Sequence, residues 1–405
     1  MGKNILVINQ FAGTPESGWG ERHYYFAKYW KEQGYDVTIV SGSFNHMFKK
    51  TVDVKGFCKT EFYNGVRFCW IKTPVYDPKS VKRFLSMLVF AWRVLFSKKY
   101  LENKPDYIIV SSMPIFPILS GYFLKKRFKS NKLLFEIRDI WPLSLIELAK
   151  VSKYHPLALF IGWFEKFGYR NADVTVSLLP NAREHIEEVA KRVVKFEYIP
   201  NGIDPDQLKN ESLDQQTLSL LPTDAKLTIG YAGTLGLANS LEFFIAAAKN
   251  VTKQHPDIHY VLVGDGYLKD TLKKDSEGCT QIHFLPKIKK DQVQNILKHF
   301  DVCFVGRSGT PLYKHGISAN KYFDYMLAGK PILDSINLIK DPVELCGCGI
   351  IVQPDSVEAI EKGILSFYNM SATERAIMGE KGHEYVLINH SIKFLSQKYL
   401  SVINE

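Results

Sequence analysis

The sequence predicts an α/β protein made of two doubly wound domains that face each other across a cleft. Three observations lead there. Short β-branched runs alternate with helical patterns in two separate series, a turn-rich stretch (Ile199-Pro200-Asn201-Gly202-Ile203-Asp204-Pro205) divides the series, and 405 residues suit two domains. Strand and helix in alternation imply mostly parallel sheets covered on both faces. The first series places strands at Asn4–Gln10, Asp36–Gly42, Val66–Thr73, Asp106–Ser112, Lys132–Asp139 and Asp173–Leu179, with a helix from Glu21. The second places them at Leu227–Gly233, Ile258–Gly264, Ile282–Leu285, Val302–Gly306, Pro331–Ser335 and Gly349–Val352. Helical segments fill Ser356 to Ile403. The expected division is 1–200, 201–385 and a helical tail at 386–405. Ligands of open parallel sheets sit at the carboxyl ends of the strands, so the site is expected between the domains.

Composition narrows the function classes. With 46% apolar and 23% charged residues the chain is a folding, globular one, and no run reaches the ~18 apolar residues of a spanning helix. Residues 1–10 lead into a strand pattern rather than a secretory leader, so a cytoplasmic location is expected. The six cysteines are scattered, and Cys346-Gly347-Cys348 has the wrong spacing for a zinc knuckle. Neither disulfides nor a metal are expected.

The net charge of +10 is unevenly spread. Residues 1–200 hold 31 Lys and Arg against 18 Asp and Glu; residues 201–405 hold 21 against 24. Ser80–Lys99 sets Lys82, Arg83, Arg93, Lys98 and Lys99 around an apolar segment rich in Phe, Leu and Trp. That suits a helix lying on an anionic membrane, and equally a core helix with basic ends. Lys125-Lys126-Arg127-Phe128-Lys129 tilts the balance toward the membrane surface. No nucleic-acid-binding motif accompanies the charge, so nucleic acid is not an expected partner.

The loop Phe11–Gly20 joins the first strand to a helix, and Gly18 and Gly20 would let its backbone approach a phosphate or sugar. It lacks the GxGxxG and acidic strand end of a dinucleotide oxidoreductase. Arg138 and Asp139 end a central strand, as a catalytic pair or as a structural ion pair. In the second domain Gly233 and Thr234 follow the first strand and Gly264 the second. Within Gly309–Leu333, Ser318 reads as the cap of a helix running to Gly329, so the amides of Gly316, Ile317, Ser318 and Ala319 would face an anion. Lys314 or Lys321 would add charge, and Asp324 could accept two hydrogen bonds from a ribose diol.

Taken in order, Gly18-Trp19-Gly20, Arg138-Asp139-Ile140-Trp141-Pro142, the Ile199–Asp204 hinge, Gly264-Asp265-Gly266 and Asn320–Pro331 resemble a family 4 glycosyltransferase of the GT-B fold. Within that family the chain resembles the WbuB-like branch that builds bacterial O-antigen and capsule sugars. The resemblance covers nearly the whole chain. It implies two Rossmann-like domains and a metal-independent, retaining hexosyltransferase that moves a sugar of N-acetylhexosamine type from a UDP-sugar to a lipid-linked saccharide. No cofactor is implied. The enzyme would sit peripherally on the inner face of the cell membrane. Gly18, Gly20, Gly233, Thr234, Gly264, Gly316, Ile317, Ser318, Asn320, Lys321 and Asp324 would hold the donor; Asp139, Arg138 and Lys314 would serve the reacting centre. Two departures stand out. Gly316 occupies the place of a carboxylate that many relatives carry eight positions before Asp324, and Leu237-Ala238-Asn239-Ser240 is uncharged where many carry Arg and Lys. Lys314, Lys321 or Arg307 must then supply the positive charge. The rival readings are a UDP-sugar epimerase or a phosphorylase on the same fold, and a non-catalytic binding or scaffold subunit. An epimerase needs no acceptor, and a phosphorylase needs phosphate or a pyridoxal-phosphate lysine; a scaffold would bind UDP without turnover.

Overall fold

The computed structural model describes residues 3–96, 101, 103–207, 211–339 and 341–405. The chain forms two compact units, one of Met1–Asn201 with Ile392–Glu405, the other of Gly202–Ser391.

Unit 1 carries strands β1 (Asn4–Ile8), β2 (Asp36–Gly42), β3 (Cys58–Tyr63), β4 (Val66–Ile71), β5 (Tyr107–Ser111), β6 (Lys132–Ile137), β7 (Val174–Ser177) and β8 (Phe196–Tyr198). Their order is β3-β4-β2-β1-β5-β6-β7-β8, parallel except for the edge pair β3–β4. Its helices are α1 (Arg22–Glu32), α2 (Val81–Val94), α3 (Pro117–Phe128), α4 (Leu143–Ala149), α5 (Pro156–Asn171) and α6 (Arg183–Ala190). Helices cover both faces because the central strands β1, β5 and β6 are apolar on both sides.

Unit 2 begins with helix α7 (Gln215–Ser219) and then alternates: β9 (Leu227–Ala232), α8 (Leu241–Thr252), β10 (Ile258–Val263), α9 (Lys269–Asp275), β11 (Ile282–Leu285), α10 (Val293–Leu297), β12 (Val302–Gly306), α11 (Asn320–Leu327), β13 (Ile332–Ser335), α12 (Pro342–Cys346) and β14 (Gly349–Val352). All six strands are parallel, in the order β11-β10-β9-β12-β13-β14. Helices α13 (Val357–Asn369) and α14 (Ala372–His390) complete the unit.

The last residues do not form a separate tail. Residues 386–390 finish α14, and α15 (Ile392–Asn404) belongs to unit 1. Its Tyr399 packs on the rings of Phe26 and Trp30 at 5.7 and 5.4 Å, and Trp30 Nε1 donates to the Ser396 carbonyl at 3.0 Å. Strands β3 and β8 are additions to the sequence reading. Both lie at sheet edges, where polar residues such as those of Cys58–Tyr63 suit solvent but blur the apolar pattern. Among the described residues no helix is long and apolar enough to cross a membrane.

Candidate functional site

The candidate residues fall into two groups, one on each unit. In unit 2 the strand order reverses between β9 and β12, since β9 is flanked by β10 on one side and β12 on the other. The carboxyl ends of these strands flank the crevice where doubly wound sheets bind ligands. Gly233 follows β9, Gly264 follows β10 and Arg307 follows β12.

The two glycines have packing reasons to be there. A Cβ on Gly264 would fall 1.9 Å from the Gly233 carbonyl oxygen, and one on Gly233 would fall 2.7 Å from Cε of Lys321. Lys321 thus lies directly against the β9 turn. Its Nζ donates to Tyr231 Oη and to Asn239 Oδ1, each at 2.7 Å, and stands 4.3 Å from the Tyr231 ring centre. Tyr231 Oη and Asn239 Nδ2 donate in turn to the Thr234 carbonyl at 2.7 and 2.9 Å. Thr234 therefore contributes a backbone oxygen to the lysine's cradle, while its side chain is exposed. Neither Lys321 nor Arg307 forms an ion pair with a described residue. Burial and the Arg307 guanidinium hold the Lys321 ammonium well below its usual range. Arg307 donates from Nη1 to the Ala238 carbonyl at 3.2 Å, and its buried Nε has no partner. Arg307 lowers the pKa of buried Asp334 from a distance, but neither cation has a carboxylate in ion-pair contact, which makes this edge a place for an anion.

Helix α11 starts later than its sequence suggests. Ala319, not Ser318, is the cap: its backbone is extended (φ −81°, ψ 127°) and no side chain caps the helix. The Gly316 amide donates to the Tyr313 carbonyl at 2.8 Å within the 3-10 turn Pro311–His315, so it is engaged by the protein itself. Helix geometry leaves the amides of Asn320 and Lys321 without intrahelical partners, facing the same end as Lys321's charge. Ile317 and Ser318 are half-buried, and Lys314 is exposed in the preceding turn. Asp324 lies one turn beyond Asn320, on the same face of α11. Its carboxylate hydrogen bonds to no described residue; burial pushes its pKa up to about 7, with Lys290 pulling weakly the other way.

In unit 1 the loop Phe11–Gly20 closes on itself. The Gly13 amide donates to the Gly20 carbonyl at 3.0 Å, and the Lys49 amide to the Ser17 carbonyl at 2.9 Å. Gly18 and Gly20 have φ of 66° and 77°. A Cβ on Gly20 would fall 2.1 Å from the Phe11 carbonyl oxygen, so this glycine is required by the loop's own fold. Strand β6 stops at Ile137, two residues short of the expected end, so Arg138 and Asp139 lie in the bend just past its carboxyl end. The Arg138 amide donates to Ser112 Oγ at 3.0 Å. Asp139 reaches solvent, yet protein crowds it; desolvation raises its carboxyl pKa, with Arg138 opposing.

Beneath them lies a cluster that the sequence reading overlooked. Glu136 is fully buried and accepts from Arg22 Nε and Nη2 at 3.3 and 3.2 Å and from Ser111 Oγ at 2.8 Å. His23 Nε2 stands 3.0 Å from Oε1, off the line of a good hydrogen bond, and Asn9 Nδ2 is 3.2 Å from its Nδ1. Burial alone would raise the Glu136 pKa, but Arg22 and His23 outweigh it and hold the carboxyl well below the usual range. Arg22 also donates to the carbonyls of Ile199, at 2.8 Å, and Pro200, so it ties β6 to the last residues of unit 1 before the chain leaves it. The one available signal was a charged residue inside the apolar strand Leu133-Leu134-Phe135-Glu136-Ile137. Among the described residues no three His, Cys, Asp or Glu side chains gather as a metal-holding group.

Comparisons with known proteins match this division. Residues 18–207 match the Glycosyltransferase Family 4 model, and residues 226–370 match Glycosyl transferases group 1. An uncharacterized glycosyltransferase of Methanocaldococcus jannaschii is 27% identical over 184 residues, covering 43% of this chain and 42% of that protein. The alpha-D-kanosaminyltransferase of Streptomyces kanamyceticus is 24% identical over 143 residues, 32% of this chain and 36% of that protein. Each match therefore spans less than half of the relative's length. Among solved structures, sucrose-phosphate synthase from Thermosynechococcus elongatus superposes with a TM-score of 0.73 at 16% identity, covering 99% of this chain and 98% of the other. Anabaena HepE, solved with UDP and glucose, superposes with a TM-score of 0.67 at 13% identity, covering 99% of each chain. One glycosyltransferase family match per unit and a fold likeness along the whole length agree, and the fold is that of the GT-B glycosyltransferases.

Proposed function

We propose that the protein is a retaining, metal-independent hexosyltransferase that takes a sugar of N-acetylhexosamine type from a UDP-sugar and adds it to a lipid-linked saccharide. The setting of this reaction is bacterial surface polysaccharide synthesis, at the inner face of the cell membrane. The observation that carries the reading is the pair Lys321 and Arg307, half-buried cations with no carboxylate in ion-pair contact, at the carboxyl edge of β9 and β12. A nucleoside diphosphate supplies the missing negative charge, and the amides of Asn320 and Lys321 add donors. As the bond from sugar to diphosphate breaks, charge builds on the leaving phosphate oxygen, and groups already in place stabilise it without reorganising. Asp324, one turn along, suits the ribose hydroxyls. The HepE structure with UDP and glucose supports a UDP-sugar donor, and the kanosaminyltransferase supports an aminated sugar.

Calorimetric titration with UDP, GDP, ADP and NAD in EDTA tests the donor site. UDP is expected to bind in preference to the other three. A ribose diol donates to an ionised carboxylate, so affinity should fall as pH drops through about 7, where Asp324 takes up a proton. Asp324→Ala should weaken UDP at pH 8 and remove that pH dependence. A preference for GDP, or an unchanged affinity in the variant, would sink the assignment.

A further inference from the structure

Unit 1 exposes a continuous aromatic face that its own packing does not explain. Helices α2, α3 and α5 lie side by side, and Leu85, Trp92, Phe123, Leu159, Phe160 and Trp163 all point at least 43% of their surface to solvent. Rings link the helices. Phe84 of α2 and Phe160 of α5 have centroids 6.5 Å apart; Trp163 stacks on Phe167 at 5.5 Å; Phe167 meets Tyr122 of α3 at 5.3 Å, and Tyr122 meets Phe123 at 5.8 Å. Scattered exposed apolar residues are ordinary on a protein surface, whereas a connected aromatic field marks an interaction site.

The charge around this field selects its occupant. Among them the three helices hold eight Lys and Arg residues and a single acid, Glu165. Glu165 is buried, hydrogen-bonded to His185 at 2.8 Å and Tyr169 at 3.2 Å. Lys82, Lys126, Arg127 and Lys166 are exposed. A second copy of the same face would set cation against cation across a twofold axis. An anionic bilayer offers the complementary charge, and tryptophan and phenylalanine beside lysine and arginine are the residues that settle at its interface. Lys98 and Lys99 of the basic stretch lie outside the described residues.

We infer that the α2–α3–α5 face inserts its aromatic side chains into the interfacial layer of a phosphatidylglycerol-containing membrane, with the basic rim on the headgroups. The inference rests on the reading of a lipid-linked acceptor and places that acceptor's approach. The three helices start at the carboxyl edge of the unit 1 sheet, the edge that carries Arg138 and Asp139. Gly162 of α5 lies beside Pro142, three residues after Asp139, close enough that a Cβ would touch the ring at 3.7 Å. An acceptor held in the bilayer by its lipid reaches this edge without leaving the membrane.

Co-sedimentation with vesicles of phosphatidylcholine and phosphatidylglycerol in equal amounts tests the face with no sugar substrate present. Wild-type binding should persist in part at high salt, since apolar insertion is not screened, and quenching by brominated lipid should reach Trp92 and Trp163. The triple variant Trp92→Ser, Phe160→Ser, Trp163→Ser should bind at least about tenfold more weakly at any salt concentration, from the apolar area it withdraws. Lys126→Glu with Arg127→Glu should lose only the salt-sensitive part. These side chains are exposed, so an unchanged thermal midpoint and unchanged UDP affinity show that both variants remain folded. No vesicle binding by the wild type would overturn the inference. So would a dimer that the triple variant dissolves, which would give the face to a second copy. Vesicle binding without UDP binding would instead fault the functional reading and leave the face intact.

Discussion

Glu136→Ala should lower the stability of unit 1 by about 3–5 kcal/mol, because it strands the buried Arg22 guanidinium without its counter-charge. Arg22 would keep its bonds to the Ile199 and Pro200 carbonyls, but neither carries the charge it now balances. Ser111 Oγ would lose its bond to Glu136 and keep the Ser112 carbonyl as acceptor at 3.1 Å. Glu136→Gln should cost less, since an amide oxygen can still accept from Arg22. The carboxyl is held down in the fold, so its contribution is complete above the unfolded pKa and fades as pH falls through that value toward the lower folded one. Urea unfolding at pH 7 and pH 3 measures this. The loss on mutation should be large at pH 7 and smaller at pH 3. A change below about 1 kcal/mol at pH 7, the scale of an exposed pair, would show that the cluster contributes little.

Lys321→Met has its largest expected effect on turnover rather than stability. Removing one preorganised charge from a site where negative charge develops typically slows reaction by about 10²–10³-fold. The fold should tolerate the change. Tyr231 Oη still donates to the Thr234 carbonyl, and the variant relieves the repulsion from Arg307 and the desolvation that depress the lysine's pKa. The thermal midpoint should therefore stay level or rise, while transfer falls and UDP binds more weakly. Such opposite movement is the mark of a residue kept for function at a cost to stability. Turnover close to wild type, or a clear drop in midpoint, would make Lys321 a structural residue of the β9 turn. Arginine is a poor substitute, because a planar, forked guanidinium does not reproduce a compact ammonium that donates to Tyr231 Oη and Asn239 Oδ1.

What the sequence made legible follows from the range of each interaction. The central strands were readable because apolar runs between turn residues depend on local pattern alone. The return of α15 to unit 1 was not, since Tyr399 and Ser396 meet helix α1 across more than 360 residues of chain. Ser318 looked like a cap because it precedes an amphipathic run, yet capping is decided by backbone angles, and Ala319 has the extended ones. Lys321 could be singled out as a charge near a helix start, but its cradle could not: Tyr231 and Asn239 lie 90 and 82 residues away. The same distance effect hid Glu136, whose partner Arg22 is 114 residues earlier. Gly20 was singled out for backbone freedom and Gly264 for its place after a strand, and both were given to a ligand, whereas the nearest atoms to a Cβ at each are the chain's own carbonyls.

The most direct measurement follows the sugar itself. Purified protein, a panel of UDP-sugars and a lipid-linked saccharide acceptor are incubated in EDTA, with UDP release and the new glycosidic bond followed together, the latter by proton NMR. UDP release should depend on the acceptor, and the product bond should keep the donor's anomeric configuration. UDP-sugar converted to its epimer with no acceptor present, or bound UDP-sugar with no transfer to any acceptor, would contradict this expectation.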